Sequence, residues 1–218
     1  MPKKMWLFVP ILFVFSAAKA SDKDPVYVGA ELGYSRTTYV PSYATSQGIP
    51  DAQYTDRAHG VDFRILAGYS VQLSKRVALS MEGHFGLTGA TWHLDTDEPA
   101  HLEYKIPRTY GASLLPSVRV AGKFSLFGEI GFERGYIQEQ KNSNITTSYD
   151  FSKWTNGYAA GGGVIYDLSR RVRISLLYRH ILWGQISYTS HLPDGSLSEI
   201  ISDEPTISSV HVGVAYRF

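Results

Sequence analysis

Eight segments of alternating apolar and polar residues, connections that are tight and long by turns, and a last strand ending on a bare phenylalanine predict one architecture. It is an all-β fold, an eight-stranded antiparallel transmembrane β-barrel in an up-and-down meander. In the terminal run, Val210, Val212, Val214, Tyr216 and Phe218 share one face, and His211, Gly213, Ala215 and Arg217 share the other. A soluble sheet can alternate in this way, but it rarely ends its apolar face on an unshielded Phe. A strand that closes a barrel in lipid does so routinely.

Composition agrees. The 218-residue chain has no Cys, which excludes a disulfide framework, a thiolate metal site and a Cys nucleophile. A net charge of +1 gives no argument for nucleic acid. Mean hydropathy is −0.14, and no second long apolar run follows the amino-terminal one, so a helical membrane protein is excluded. The 15 Tyr, 10 Phe and 20 Gly fit a barrel whose lipid and lumen faces average out.

Residues 1–20 read as a secretory signal peptide: Lys3 and Lys4, then an apolar run from Met5 to Phe15 broken by Pro10, then the small-x-small site Ala18-Lys19-Ala20. That run is shorter than the roughly 20 apolar residues a spanning helix needs. Residues 21–218 are expected to form one barrel domain.

The strands follow in order. The first runs from about Val26 to Arg36, with Val28, Leu32 and Tyr34 on one face and Tyr27, Gly29 and Glu31 on the other. The second, Gly60 to Val71, sends Phe63, Ile65 and Tyr69 outward and Asp62 and Arg64 inward. The third, Val77 to Thr91, sends Leu79, Met81 and Phe85 out and Ser80, Glu82 and His84 in. The fourth, Tyr104 to Val120, is interrupted by Pro107 and Pro116, which lack a ladder donor, so a bulge or broken pairing is expected there. The fifth, Phe124 to Tyr136, points Leu126, Ile130 and Phe132 out and Glu129 and Glu133 in. The sixth, Trp154 to Tyr166, points Trp154, Tyr158 and Val164 out. The seventh, Val172 to Tyr188, is read as one strand with Leu176, Tyr178, Leu182, Ile186 and Tyr188 out and Arg173, Arg179 and Gln185 in. The eighth is the terminal strand.

Leu73 to Arg76, Ala121 to Lys123 and Leu168 to Arg171 are tight turns, whereas Thr37 to Ala58, His93 to Glu103, Ile137 to Lys153 and Thr189 to Pro205 are long and polar. Short turns on one side and long loops on the other mark an outer-membrane barrel, with the short-turn end periplasmic. A soluble lipocalin-like barrel would carry its apolar face inside. The aromatics favour lipid outside: Tyr34, Tyr110, Tyr136, Trp154 and Tyr188 fall near strand tops, and Tyr69, Phe124, Tyr166, Tyr216 and Phe218 near strand bottoms, as two membrane interfaces prefer.

The expected lumen then holds Glu31, Asp62, Glu82, Glu129 and Glu133 against Arg64, Arg119, Arg173, Arg179 and Arg217, with His84 and His211. Eight strands leave an interior that side chains fill, and buried charges must pair. A plugged polar core that fixes register is the main expectation. A gated ion path or a proton relay is the alternative.

The run His211-x-Gly213-x-x-Tyr216-x-Phe218 resembles the signal read by the barrel assembly machinery of Gram-negative bacteria, carried by Gly213, Tyr216 and Phe218. With the eight-strand layout, the mature chain resembles the OmpA/OmpX-type small barrels, including opacity-like surface proteins. The resemblance implies an integral outer-membrane protein, structural and surface-exposed, whose loops contact host or environment. The alternatives it leaves open are a small channel for ions or solutes and a lipid A-modifying enzyme. Implied partners are outer-membrane lipid and lipopolysaccharide, the assembly machinery, and a host or surface ligand; the expected state is a monomer with no cofactor, metal or nucleic acid. No peptidoglycan-binding segment is expected after Phe218, so the cell-wall tether of the full OmpA architecture is expected to be absent.

Catalysis has little support. His180 falls on the lipid-facing parity with no Ser in a His-x-Ser pattern, and His191, Ser196, Ser198 and Glu199 lie in an expected loop without fixed geometry. Asn144-Ile145-Thr146 reads as a chance glycosylation triplet. Asp95, Asp97, Glu98, Asp203 and Glu204 make the outer loops mildly acidic, with a solvated surface or divalent bridging to lipopolysaccharide as the default. Ala160, Gly162 and Gly184 are small residues on outward parity, read either as a flat protein contact or, as is commoner for glycine in a barrel strand, as relief of bends.

Overall fold

The alternating segments become strands with one buried and one exposed face. The computed structural model describes residues 26–39, 42–45, 56–95, 100–143, 149–191 and 197–218. The expected signal peptide, the Asn144 triplet, Asp97, Glu98 and Ser196 lie outside them. The strands are β1 (Val26–Tyr39), β2 (Ser42–Thr45), β3 (Asp56–Gln72), β4 (Val77–Thr88), β5 (Thr91–Asp95), β6 (Ala100–Ala121), β7 (Phe124–Ser143), β8 (Tyr149–Asp167), β9 (Val172–Trp183), β10 (Ile186–His191), β11 (Leu197–Asp203) and β12 (Thr206–Arg217).

Eight of them make the barrel. The sheet order β4-β3-β1-β12-β9-β8-β7-β6 closes through a β4–β6 ladder, so each strand pairs with its neighbour in chain order and β12 returns to β1. All ladders are antiparallel. The closing pair runs from Tyr27↔Arg217 to Thr38↔Thr206. Closure leaves the barrel no open edge, which is how a sheet satisfies its backbone in lipid.

The exposed face is the apolar one. Leu32, Ile65, Met81, Ile130, Tyr178 and Val212 are exposed on the barrel strands. The buried face holds Glu31, Arg64, Glu82, His84, Glu129, Glu133 and Arg179. A soluble barrel would reverse this arrangement. Phe124 and Tyr166 pack at 4.8 Å, and Tyr216 and Phe218 at 5.4 Å, on the lower aromatic ring. On the upper ring Tyr34 stacks on His59 at 5.8 Å.

The long connections are built differently from expectation. The β7–β8 ladder continues up to Lys141↔Tyr149, so most of Ile137 to Lys153 is paired strand. Similarly β5 and β6 pair from Thr91↔Lys105 to Asp95↔His101. The 20 residues of β7 climb roughly 50 Å at a rise near 3.3 Å and a tilt near 40°, twice an apolar band of about 25 Å. Above the membrane both faces of a hairpin are wet, so the alternation that reveals a strand is lost there. A second sheet, β10-β11-β2, joins parts of two further connections.

Two irregularities matter. In β6 the register to β7 slips by one residue between Lys105 and Arg108, around Pro107, and again between Arg119 and Ala121. At Pro116 the ladder to β7 skips residues 115–116 without changing register, so the two prolines act differently. The second irregularity corrects the seventh strand. It breaks at Gly184-Gln185, where Gly184 N–H donates to the Asn156 carbonyl at 2.8 Å and β10 begins at Ile186. The break flips parity: Ile186 is buried at 2 % exposure and Gln185 is exposed, the reverse of the continuous-strand reading. The side chain of Tyr188 lies outside the described set.

The interior is layered. Ile106, Ile137, Ile181, Trp183, Ile186 and Ile207 form an apolar cluster toward the extracellular end. Leu115, Phe127, Ile165 and Leu177 form another toward the short turns, beside a group of Tyr27, Leu66 and Ala215. Glu31, Arg64, Glu129, Glu133 and Arg179 lie between.

Candidate functional site

The charged layer is made by side chains that reach across strands in fixed register. Glu31 on β1 stands opposite Arg64 on β3, and Arg64 bridges Glu31 at 3.5 Å and Glu82 at 3.4 Å. Tyr27 O–H donates to Glu82 at 3.2 Å. Glu129 on β7 and Arg179 on β9 are separated by Gly161 of β8, in register with both. With no side chain at Gly161, Arg179 Nε reaches Glu129 Oε1 at 3.1 Å. Its Nη2 also pairs with Glu133, which contacts His84 Nε2. Ser113 Oγ donates to Glu129 at 2.7 Å, and Ser35 Oγ to Asp62 at 2.9 Å. His211 Nε2 meets Ser209 Oγ at 2.8 Å.

Not every expected lumen residue joins this set. Arg119 is 49 % exposed and lies at the periplasmic mouth, where it pairs with Asp167 at 3.5 Å. Arg217 pairs with the same carboxylate at 2.7 Å. Arg173 stacks its guanidinium 3.7 Å above the Tyr27 ring. Asp167, Tyr27 and Ser113 were missed as partners, although extending the inward parity of β8 by one step reaches Asp167. Of the expected assembly-signal residues, Tyr216 and Phe218 point outward, and Tyr216 O–H accepts from Arg171 Nη1 at 3.2 Å. Gly213 has a packing role: a Cβ there would stand 2.9 Å from Glu31 Cγ.

Two features lie on the outer face. Near the extracellular end, Arg108 Cζ sits 4.4 Å from the Tyr136 ring centre and 5.5 Å from Trp154, with Arg134 Cζ 5.9 Å from Trp154. Tyr110 packs edge-on against Trp154 at 5.4 Å. Neither arginine pairs with a carboxylate among the described residues. Around the barrel, His180 Nδ1 lies 2.9 Å from Ser208 Oγ, a residue opposite it on β12 and invisible to a His-x-Ser scan. No carboxylate hydrogen-bonds His180 among the described residues.

The chain is similar to several solved structures of outer-membrane proteins. The attachment invasion locus protein Ail of Yersinia pestis is 14 % identical, with 88 % of this chain and 98 % of that chain covered at a TM-score of 0.44. The outer membrane protease OmpT of Escherichia coli is 8 % identical, with 89 % and 97 % covered at 0.50. A major outer membrane protein of Thermus thermophilus is 11 % identical, with 86 % and 99 % covered at 0.50. At these identities the likeness is one of fold alone. No curated protein matches the sequence. The model of the outer membrane protein beta-barrel domain matches residues 7–218, essentially the whole chain. With the apolar belt outside, the charged layer inside and the ladder closed, the chain belongs to the outer membrane protein β-barrel family and is an integral protein of the outer membrane.

Proposed function

We propose that this protein works through its outer surfaces as a non-enzymatic membrane barrel. Its extracellular strands engage the environment, and its upper rim engages lipopolysaccharide. The observation that carries the reading is the layered lumen. An ion-paired layer between two apolar clusters leaves small cavities where a pore would run, the inner one about 20 Å³. That is room for one or two isolated waters at roughly 10–15 Å³ each, not for a continuous water column. The refolded protein in a planar bilayer is therefore expected to give no reproducible unitary current. Stepwise current from the wild-type chain would return the small-channel reading.

Arg108 and Arg134 support the lipid contact. They are cations on lipid-facing parity, backed by Tyr136, Trp154 and Tyr110 at interface height and free of carboxylates among the described residues. Phosphate groups of the outer leaflet match a guanidinium fork. The double variant Arg108→Gln/Arg134→Gln is expected to co-purify with several-fold less lipopolysaccharide than wild type at unchanged folding, read by phosphate analysis of detergent-extracted barrel. Equal lipopolysaccharide in both preparations would remove this contact from the reading. For adhesion, shortening the β7–β8 hairpin above residue 137 and assaying cell or matrix binding is the direct test.

One observation favours a second reading, a lipid-modifying enzyme. His180 and Ser208 form a hydrogen-bonded pair facing lipid. A serine nucleophile needs a base within such reach. With no third group orienting the imidazole among the described residues, the pair fits cross-strand polar pairing better. Acyl release from purified lipid A, lost in Ser208→Ala, would turn the argument toward chemistry.

A further inference from the structure

The periplasmic mouth of the barrel holds a cavity of about 180 Å³ that no partner described so far uses. Four arginines line it: Arg76, Arg119, Arg173 and Arg217, against the single carboxylate of Asp167. Four positive charges against one negative leave three in excess. The distribution is uneven. Asp167 is shared by Arg119 and Arg217. Arg173 is 8 % exposed and has the face of Tyr27 as its neighbour, with no carboxylate in ion-pair reach among the described residues. Serine hydroxyls complete the lining, and Ser80 donates to Ser70 at 3.1 Å on one side.

A buried cation without an anion is costly, and the low-dielectric barrel wall concentrates its potential in the cavity. The chamber has room for a cluster of waters, since one needs only about 10–15 Å³ of such space, and so for a tetrahedral oxyanion and part of what bears it. Guanidinium forks converging with hydroxyl donors match a phosphoryl group better than a monovalent halide, because each fork engages two oxygens. We infer that this vestibule is a binding site for a phosphoryl group presented from the periplasmic side. Arg173 and Arg217 hold the oxygens, and Asp167 keeps Arg119 and Arg217 oriented toward the chamber. Two bearers share this chemistry: a soluble phosphorylated solute and the headgroup of an inner-leaflet phospholipid.

The test uses the refolded full chain in a zwitterionic, phosphate-free detergent, titrated with inorganic phosphate by calorimetry. One saturable site per chain is expected. Arg173→Gln is expected to weaken it by about tenfold or more, with Arg173→Lys intermediate because it keeps charge but loses the fork. Lys123→Gln, in a turn on the outside of the same rim, is expected to leave it unchanged. Heat-modifiable migration on a detergent gel reports folding of each variant, and the Lys variant carries the test if the Gln variant does not fold. Absence of saturable binding by wild type at millimolar phosphate overturns the proposal. So does equal weakening by Lys123→Gln, which would mean diffuse attraction to a basic rim. Repeating the titration in nanodiscs with and without phosphatidylglycerol assigns the bearer: competition by the lipid supports a headgroup occupant, and unchanged affinity supports a solute.

Discussion

Arg179→Met is expected to cost the folded barrel about 3–5 kcal/mol, the loss seen when one partner of a buried ion pair is removed. The guanidinium is shared by Glu129 and Glu133, both buried, and Glu133 also touches His84. Removing it strands two carboxylates where water cannot reach them. The magnitude comes from the stranded charges rather than from the attraction lost, and that distinction is testable. The triple variant Arg179→Met/Glu129→Gln/Glu133→Gln removes the charges together and is expected to regain most of the stability. Urea unfolding from lipid vesicles, followed by tryptophan fluorescence, measures both. If Arg179→Met unfolds at the wild-type midpoint, the charged layer does not stabilise this barrel. If the triple variant is as weak as the single one, the paired geometry itself carries the energy.

The barrel was legible in the sequence because lipid imposes one rule on every strand: alternate residues must be apolar wherever the other side of the wall is not. Within the membrane the rule identifies faces residue by residue, as at Leu32 against Glu31 and Phe63 against Arg64. It fails where its physical cause stops. Above the bilayer Gln138 and Ser152 pair in the β7–β8 ladder, yet nothing apolar is required there, so the hairpin reads as loop. At Gly184-Gln185 a two-residue break reverses parity, and counting by twos carries the error into Ile186. The candidate site was half legible for a related reason. Parity identifies which charges point inward, but not their height along the barrel. Arg119 and Arg217 share the inward face with Arg179 and yet sit at the mouth, with a different carboxylate. Nor does parity reveal the inward apolar residues as a seal, since Trp183 and Ile207 belong to the face expected to be polar.

That seal is where the other large effect is expected. Trp183 is 4 % exposed, and its indole fills the space above two glycines of neighbouring strands. A Cβ at Gly135 would stand 2.6 Å from Trp183 Cη2, and one at Gly157 would stand 2.8 Å from Cε3. Trp183→Ala leaves a cavity in a packed layer and is expected to destabilise by about 3–5 kcal/mol. Gly135→Val attacks the same contact from the other side and is expected to cost about 1–3 kcal/mol by overpacking. Two such losses at independent sites would add. Here they share one volume, so the double variant Trp183→Ala/Gly135→Val is expected to be more stable than the sum of the two losses, with the valine occupying part of the vacated space. Unfolding midpoints of the four proteins in the same vesicles close the cycle. A coupling within about 0.5 kcal/mol of zero, the scatter of independent sites, would mean that the indole does not fill that space and that the upper layer holds by its isoleucines alone.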